Sequence, residues 1–107
     1  MLPTLPPPLF KCEHSLLQMM LDGKKTFDLR IYDMRDQRIA RLHQGRYIKS
    51  YQGYKTHDAW QPIEPYVDFL DKATGEVVRF VFRGMKFTPL APGWCFLLLG
   101  PRVTIKE

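Results

Sequence analysis

Cysteine is scarce in this chain of 107 residues, which holds only Cys12 and Cys95. Two are too few for a disulfide framework, and Cys95, inside the apolar run WCFLLL, reads as a small core hydrophobe. The three histidines are scattered. Cys12-x-His14 is half of a zinc-ligand pattern without its other half, so no metal is expected. No serine elbow accompanies the histidines and no Gly-rich phosphate loop is present, which leaves a hydrolytic triad and P-loop chemistry without support. No apolar stretch approaches the ~20 residues that a membrane helix needs. The opening MLPTLPPPLF has neither the charged start nor the apolar run of an export signal, and its prolines exclude a helix. A cytoplasmic location, no membrane partner and no cofactor are the expectations.

What the chain has is basic charge in one place. Its net charge is +5 and its apolar content 45%, ordinary for one small globular domain. From Lys24 to Lys55 there are nine Lys or Arg against Asp28, Asp33 and Asp36, a net +6, and the remainder carries −1. An excess of this kind favours polyanionic partners, although a solvated face has the same composition.

Periodicity organises the rest. Residues 1–10 form a Pro-rich N-terminal arm. EHSLLQMMLDG predicts a short helix, with Leu16, Leu17, Met20 and Leu21 at helical spacing and Gly23 at the C-cap. TFDLRIY alternates with period two, which directs Phe27, Leu29 and Ile31 to the core and puts Thr26, Asp28, Arg30 and Tyr32 together on a polar face. DMRDQRIARLHQG reads as a polar connection that returns to apolar at Ile39 and Leu42. RYIKSYQGYKTHDAWQPIEP interleaves Tyr47, Tyr51, Tyr54 and Trp60 with Arg46, Lys49 and Lys55. Single-stranded nucleic-acid surfaces have that texture, and so does a Tyr-rich β-hairpin. YVDFLDKATGEVVRFVFRGMKF predicts a hairpin with Val78, Phe80 and Phe82 on one side and Arg79 and Arg83 on the other. GWCFLLLG follows as a buried strand and VTI as a short edge piece. The fold class expected is mainly β with a leading α-helix (α+β), a small β-barrel.

The order of these segments resembles the ASCH domain, of the PUA-like superfamily of small β-barrels. The resemblance lies in GKKTFDLR (Gly23–Arg30), YDMRDQRI (Tyr32–Ile39), the T-G-E hairpin in IEPYVDFLDKATGE (Ile63–Glu76) and the closing PGWCFLLLG. It assigns residues 11–107 to the domain, with an insertion at about 43–62. Tyr66 stands where the family pattern has a Gly-Asp turn. The resemblance implies an RNA- or nucleotide-related role with a cleft beside the barrel. Some ASCH members are amidohydrolases acting on acylated cytidine, and others are reported as ribonucleases. For the amidohydrolases, the family's lysine maps onto Lys25 and its threonine onto Asp28; the family's glutamate finds no counterpart.

The expected site therefore has Lys25 and Asp28 as candidate catalytic groups. Lys24, Lys25, Thr26, Asp28, Arg30, Arg38, Tyr51 and Trp60 are candidate ligand or RNA contacts. Lys25 serves either as a fixed cation for a phosphate or carbonyl or, if its pKa is brought down, as a general base. Arg30 offers a planar donor fork. An Asp28–Arg30 or Asp28–Lys25 salt bridge is the structural alternative. The function expected is RNA or nucleotide binding. The alternatives are hydrolysis of a modified nucleoside, a ribonuclease, and a protein-interaction module whose basic face meets an acidic partner.

Overall fold

The computed structural model describes residues 5–52 and 55–105, the side chains of residues 48 and 50–59 excepted. The order of elements is β1 (Leu9–Cys12), α1 (His14–Leu21), β2 (Phe27–Ile31), α2 (Gln37–His43), β3 (Gly45–Gln52), β4 (Lys55–Pro62), β5 (Tyr66–Asp71), β6 (Val77–Lys86) and β7 (Trp94–Val103). Five strands form one sheet in the order β1-β5-β6-β7-β2, and β3 and β4 pair only with each other. The large sheet curls into a half-barrel. The fold is thus mainly β, as the sequence predicts, with two helices where one was expected.

The core lies inside the curl. Phe10, Val67, Phe69, Val78, Phe80, Phe82, Cys95 and Leu97 come from the sheet, Leu17 and Met20 from α1, and Ile39 and Leu42 from α2. In α1 the stripe is narrower than expected: Leu16 is 38% exposed and only Leu17 and Met20 are buried. Gly23 ends the helix at φ +74, the left-handed conformation its C-cap position requires. The second helix was missed because the seven residues of α2 lie inside a stretch read as polar connection. Asp36 caps it by accepting a hydrogen bond from the Arg38 amide, and Ile39 and Leu42 point inward.

The polarity of β2 is the reverse of the expectation. Phe27, Leu29 and Ile31 are 39%, 38% and 61% exposed, whereas Asp28 is 4% exposed. Register explains it. Asp28 pairs with Leu97 and Arg30 with Cys95 on the inner side, while Phe27, Leu29 and Ile31 pair with Leu98, Phe96 and Trp94 on the outer side. Alternation shows which residues share a face; which face is inside depends on the curl of the whole sheet.

The two sheet edges, β1 and β2, approach without pairing. Arg30 crosses from β2 and donates to the Lys11 carbonyl at 2.9 Å. Arg38 reaches the Leu9 carbonyl at 3.2 Å. Both guanidiniums lie on the Phe10 ring, at 4.8 and 4.4 Å from its centroid. Side chains thus close the seam that backbone hydrogen bonds leave open. β1 begins at Leu9, inside the stretch expected as an arm, and pairs in parallel with β5. The VTI piece is the end of β7 together with residues just beyond it.

The ribbon β3–β4 runs in register from Gly45↔Pro62 to Gln52↔Lys55, within the expected insertion. Trp60 holds its base. The ring lies where a Gly45 side chain would stand, 2.0 Å from an added Cβ, and 3.1 Å from one at Gly84 of β6. Gly45 is required by the close approach, and Gly84 by its φ of +133 beside the same ring. Arg41 ties the exit of the ribbon to Glu64 at 2.9 Å and to the Pro6 carbonyl at 2.8 Å.

Candidate functional site

Beside the GKKT turn is a cavity of about 370 Å³. Its polar wall is Lys25, Thr26, Arg83 and Arg102, and its apolar floor includes Met20, Leu21, Phe80 and Leu99. Each wall residue has a structural reason to be there. The α1 C-cap turns the chain so that the amides of Lys24 and Lys25 both donate to the Met19 carbonyl, at 3.0 and 3.1 Å. Thr26 is locked by its carbonyl, which accepts from the Leu99 amide at 2.9 Å. Arg83 leaves β6 on its outer face and lies across β7, with its Nε 2.8 Å from where a Gly100 Cβ would be. Arg102 is near the end of β7.

Charge in this cavity is weakly compensated. The Lys25 ammonium is 4.0 Å from Asp28, with 15% of the side chain exposed. Asp28 is not on the wall; it sits behind Lys25 and also accepts from the Arg30 guanidinium. Arg102 has Glu76 at 3.8 Å, but both side chains are more than half exposed, so the pair is weak. Arg83 has no ion pair among the described residues. Three cations, a hydroxyl and an apolar floor suit a phosphate carried on a planar apolar group.

The remaining expected site residues are placed elsewhere. Lys24 is exposed on the turn and does not line the cavity. Asp28 and Arg30 form an inner ion pair, and Arg38 is clamped by Asp36 at 2.7 Å. That clamp holds the Asp36 carboxyl below its ordinary range. Trp60 lies in a neighbouring groove of about 500 Å³ under the base of the ribbon. Tyr51 is on β3 opposite Thr56, and its side chain lies outside the described residues. Sequence reasoning missed Arg83 and Arg102 as cavity residues. Arg83 carried one signal, a charged residue on the outward face of a strand with period-two alternation. Arg102, after Gly100-Pro101, carried none.

Asp28 also sets the character of the interior. Burial pushes up the Cys12 thiol and, to about 11, the Cys95 thiol, with the Asp28 carboxylate adding to both. Neither cysteine is poised as a nucleophile. At the far end of β5, His14 Nδ1 donates to the buried Asp71 carboxylate at 2.6 Å. That hydrogen bond, with two more from the Ala73 and Thr74 amides, holds the Asp71 carboxyl below its usual value. Among the described residues no cluster of three or more His, Cys, Asp or Glu is placed to hold a metal ion, and no helix is long and apolar enough to cross a membrane.

Comparison with family models, with curated proteins and with solved structures gave no match to this chain. The class supported at this point is a small, mainly β half-barrel with a basic cavity.

Proposed function

We propose that this protein is an RNA- or nucleotide-binding domain of ASCH, PUA-like type, and that the cavity beside Lys25 and Thr26 receives a phosphate-bearing nucleotide. The observation that carries this reading is the convergence of Lys25, Arg83 and Arg102 on one cavity of about 370 Å³ with an apolar floor. The cations meet the phosphate, Thr26 offers a hydroxyl, and Met20, Leu21 and Phe80 take a base or sugar face. Asp28 and Arg30 act from behind, holding β2 and Lys25 in place. The test is equilibrium binding of ribonucleoside monophosphates. Lys25→Glu and Arg83→Glu each weaken binding about tenfold or more, the loss of a charge-assisted hydrogen bond. Unchanged affinity and salt dependence in both variants would refute the reading.

A hydrolytic reading rests on a narrower observation: Lys25 is largely shielded, faces the cavity and is backed by a buried carboxylate. Under it, Lys25 handles a proton during attack on an acylated nucleoside. Incubation with a panel of modified nucleosides and a short RNA, read by mass spectrometry, separates the readings. Turnover abolished by Lys25→Ala makes the protein an enzyme; binding without turnover makes it a reader.

A further inference from the structure

We infer that the cavity is one end of a longer track, and that the ligand is single-stranded RNA running from the cavity past Arg83 to a second base held against Trp60. This rests on the proposed nucleotide cavity and extends it to a second subsite built by the ribbon.

Arg83 joins the two concavities, because it lines both the basic cavity and the 500 Å³ groove under the ribbon. It lies across Gly100, where any side chain would collide with it, and it has no ion pair among the described residues. A cation between two adjoining concavities suits the phosphate that links two nucleotides. The groove itself offers Trp60, Tyr66, Pro62 and Ile63 as ring and apolar surfaces. The one carboxylate lining it among the described residues, Glu64, is held by Arg41 at 2.9 Å, so it does not repel an anion. Trp60 packs on Gly45 and Gly84 yet keeps 36% of its surface exposed. It is therefore packed on one side and open on the rest, a surface on which a base can stack. Further along β3 on the face that Trp60 shares, Tyr47, its cross-strand partner, is 73% exposed and Lys49 is exposed.

Ring and cation alternate along this path, which a chain of unpaired bases matches and an acidic peptide does not. A groove of about 500 Å³ has room for an unstacked base; a duplex keeps its bases stacked internally and has none to offer.

The test uses the full chain with Trp94→Phe, so that Trp60, the other of the two tryptophans, is the only indole reporter. Ribonucleoside monophosphates and a mixed-sequence six-nucleotide RNA are titrated at fixed salt. Affinities are measured by titration calorimetry: the hexamer binds at least about tenfold tighter than the best monophosphate, and where Trp60 is retained it also quenches the indole, as stacking of one or more bases predicts. Trp60→Leu and Tyr66→Leu, the second not dependent on the glycine packing, each remove that length gain and leave monophosphate affinity unchanged. Equal affinity for hexamer and monophosphate overturns the track and leaves the cavity standing. Binding of neither overturns both. Equal binding of the same RNA as a duplex, or equally effective displacement by polyglutamate, overturns single-stranded RNA as the occupant.

Discussion

Asp28 shows how one residue sets two levels of the structure. It is a nearly buried carboxylate on the inner face of β2, satisfied by Arg30 and near Lys25. Without it, two cations face a core of thiols and Leu97. Removing one partner of a buried pair typically costs about 3–5 kcal/mol. Arg30 keeps its bond to the Lys11 carbonyl and 26% of its surface, so Asp28→Ala is expected nearer about 2–3 kcal/mol. Leu29→Lys, one position along on the outer face, is expected within about 0.5 kcal/mol. Urea unfolding of the two variants measures the difference, and the reverse order would contradict the inverted polarity of β2. Two other carboxylates, besides Asp33, contribute to the acid limb. Asp71 is lowered chiefly by its hydrogen bond from His14, and Asp36 chiefly by that from Arg38. A carboxyl depressed by folding stabilises at pH above its unfolded value, near 3.8, and that stability is lost as pH falls through the lower folded value. Acid unfolding should therefore steepen below about pH 4, and Asp71→Asn should flatten it; a pH titration of the thermal midpoint shows which.

The ribbon is the element that most distinguishes this half-barrel. Its ends, Gly45 and Pro62, are cross-strand partners, so the chain leaves and returns at adjacent points. Replacing residues 46–61 by a two-residue turn should leave a cooperatively folding barrel, because little loop-closure entropy changes. Loss of Trp60 from Gly84 should lower stability by about 1–2 kcal/mol. The shortened protein keeps monophosphate binding and loses the gain from longer RNA; calorimetry and the same titration check both halves. How far these elements were legible follows from what each depends on. The β5–β6 hairpin and the Gly23 cap were readable because turn chemistry and alternation are local. The ribbon showed in the sequence as a change of texture, tyrosines and a tryptophan interleaved with bases, and it pairs only with itself. The facing of β2 was not, since Phe27-Asp-Leu-Arg-Ile alternates equally well either way round and only the β7 register decides. Nor was α2: seven residues with Ile39 and Leu42 as its buried pair give too few turns for a periodic signal. Lys25 and Thr26 were found because the motif brought them forward. Arg83 and Arg102 join them only through the pairing of β6 with β7, some sixty and eighty residues further along the chain.

On the scale of the whole molecule, the basic excess and the basic site share only Lys25. Of the cations between Lys24 and Lys55, Arg30, Arg35, Arg38 and Arg41 each have a carboxylate, in Asp28, Asp33, Asp36 and Glu64. They close the seam, cap α2 and anchor the ribbon. The cations facing the cavity are Lys25 from that segment and Arg83 and Arg102 from outside it. Salt dependence separates the two sets. Each phosphate neutralised on a single strand lowers the slope of log K against log salt by about 0.7, so three cavity cations predict a slope of about −2 for a short RNA. Arg83→Gln should reduce its magnitude by about 0.7. Arg35→Gln should leave it unchanged, although Arg35 is 92% exposed and lies in the most basic stretch of the chain, because its charge is answered by Asp33 and faces no cavity. A slope that falls equally in both variants would mean that RNA is attracted by the diffuse charge of the whole segment. A slope that responds to Arg83 alone would mean that it is held at a built site, with the sheet's own pairing as the device that assembles it.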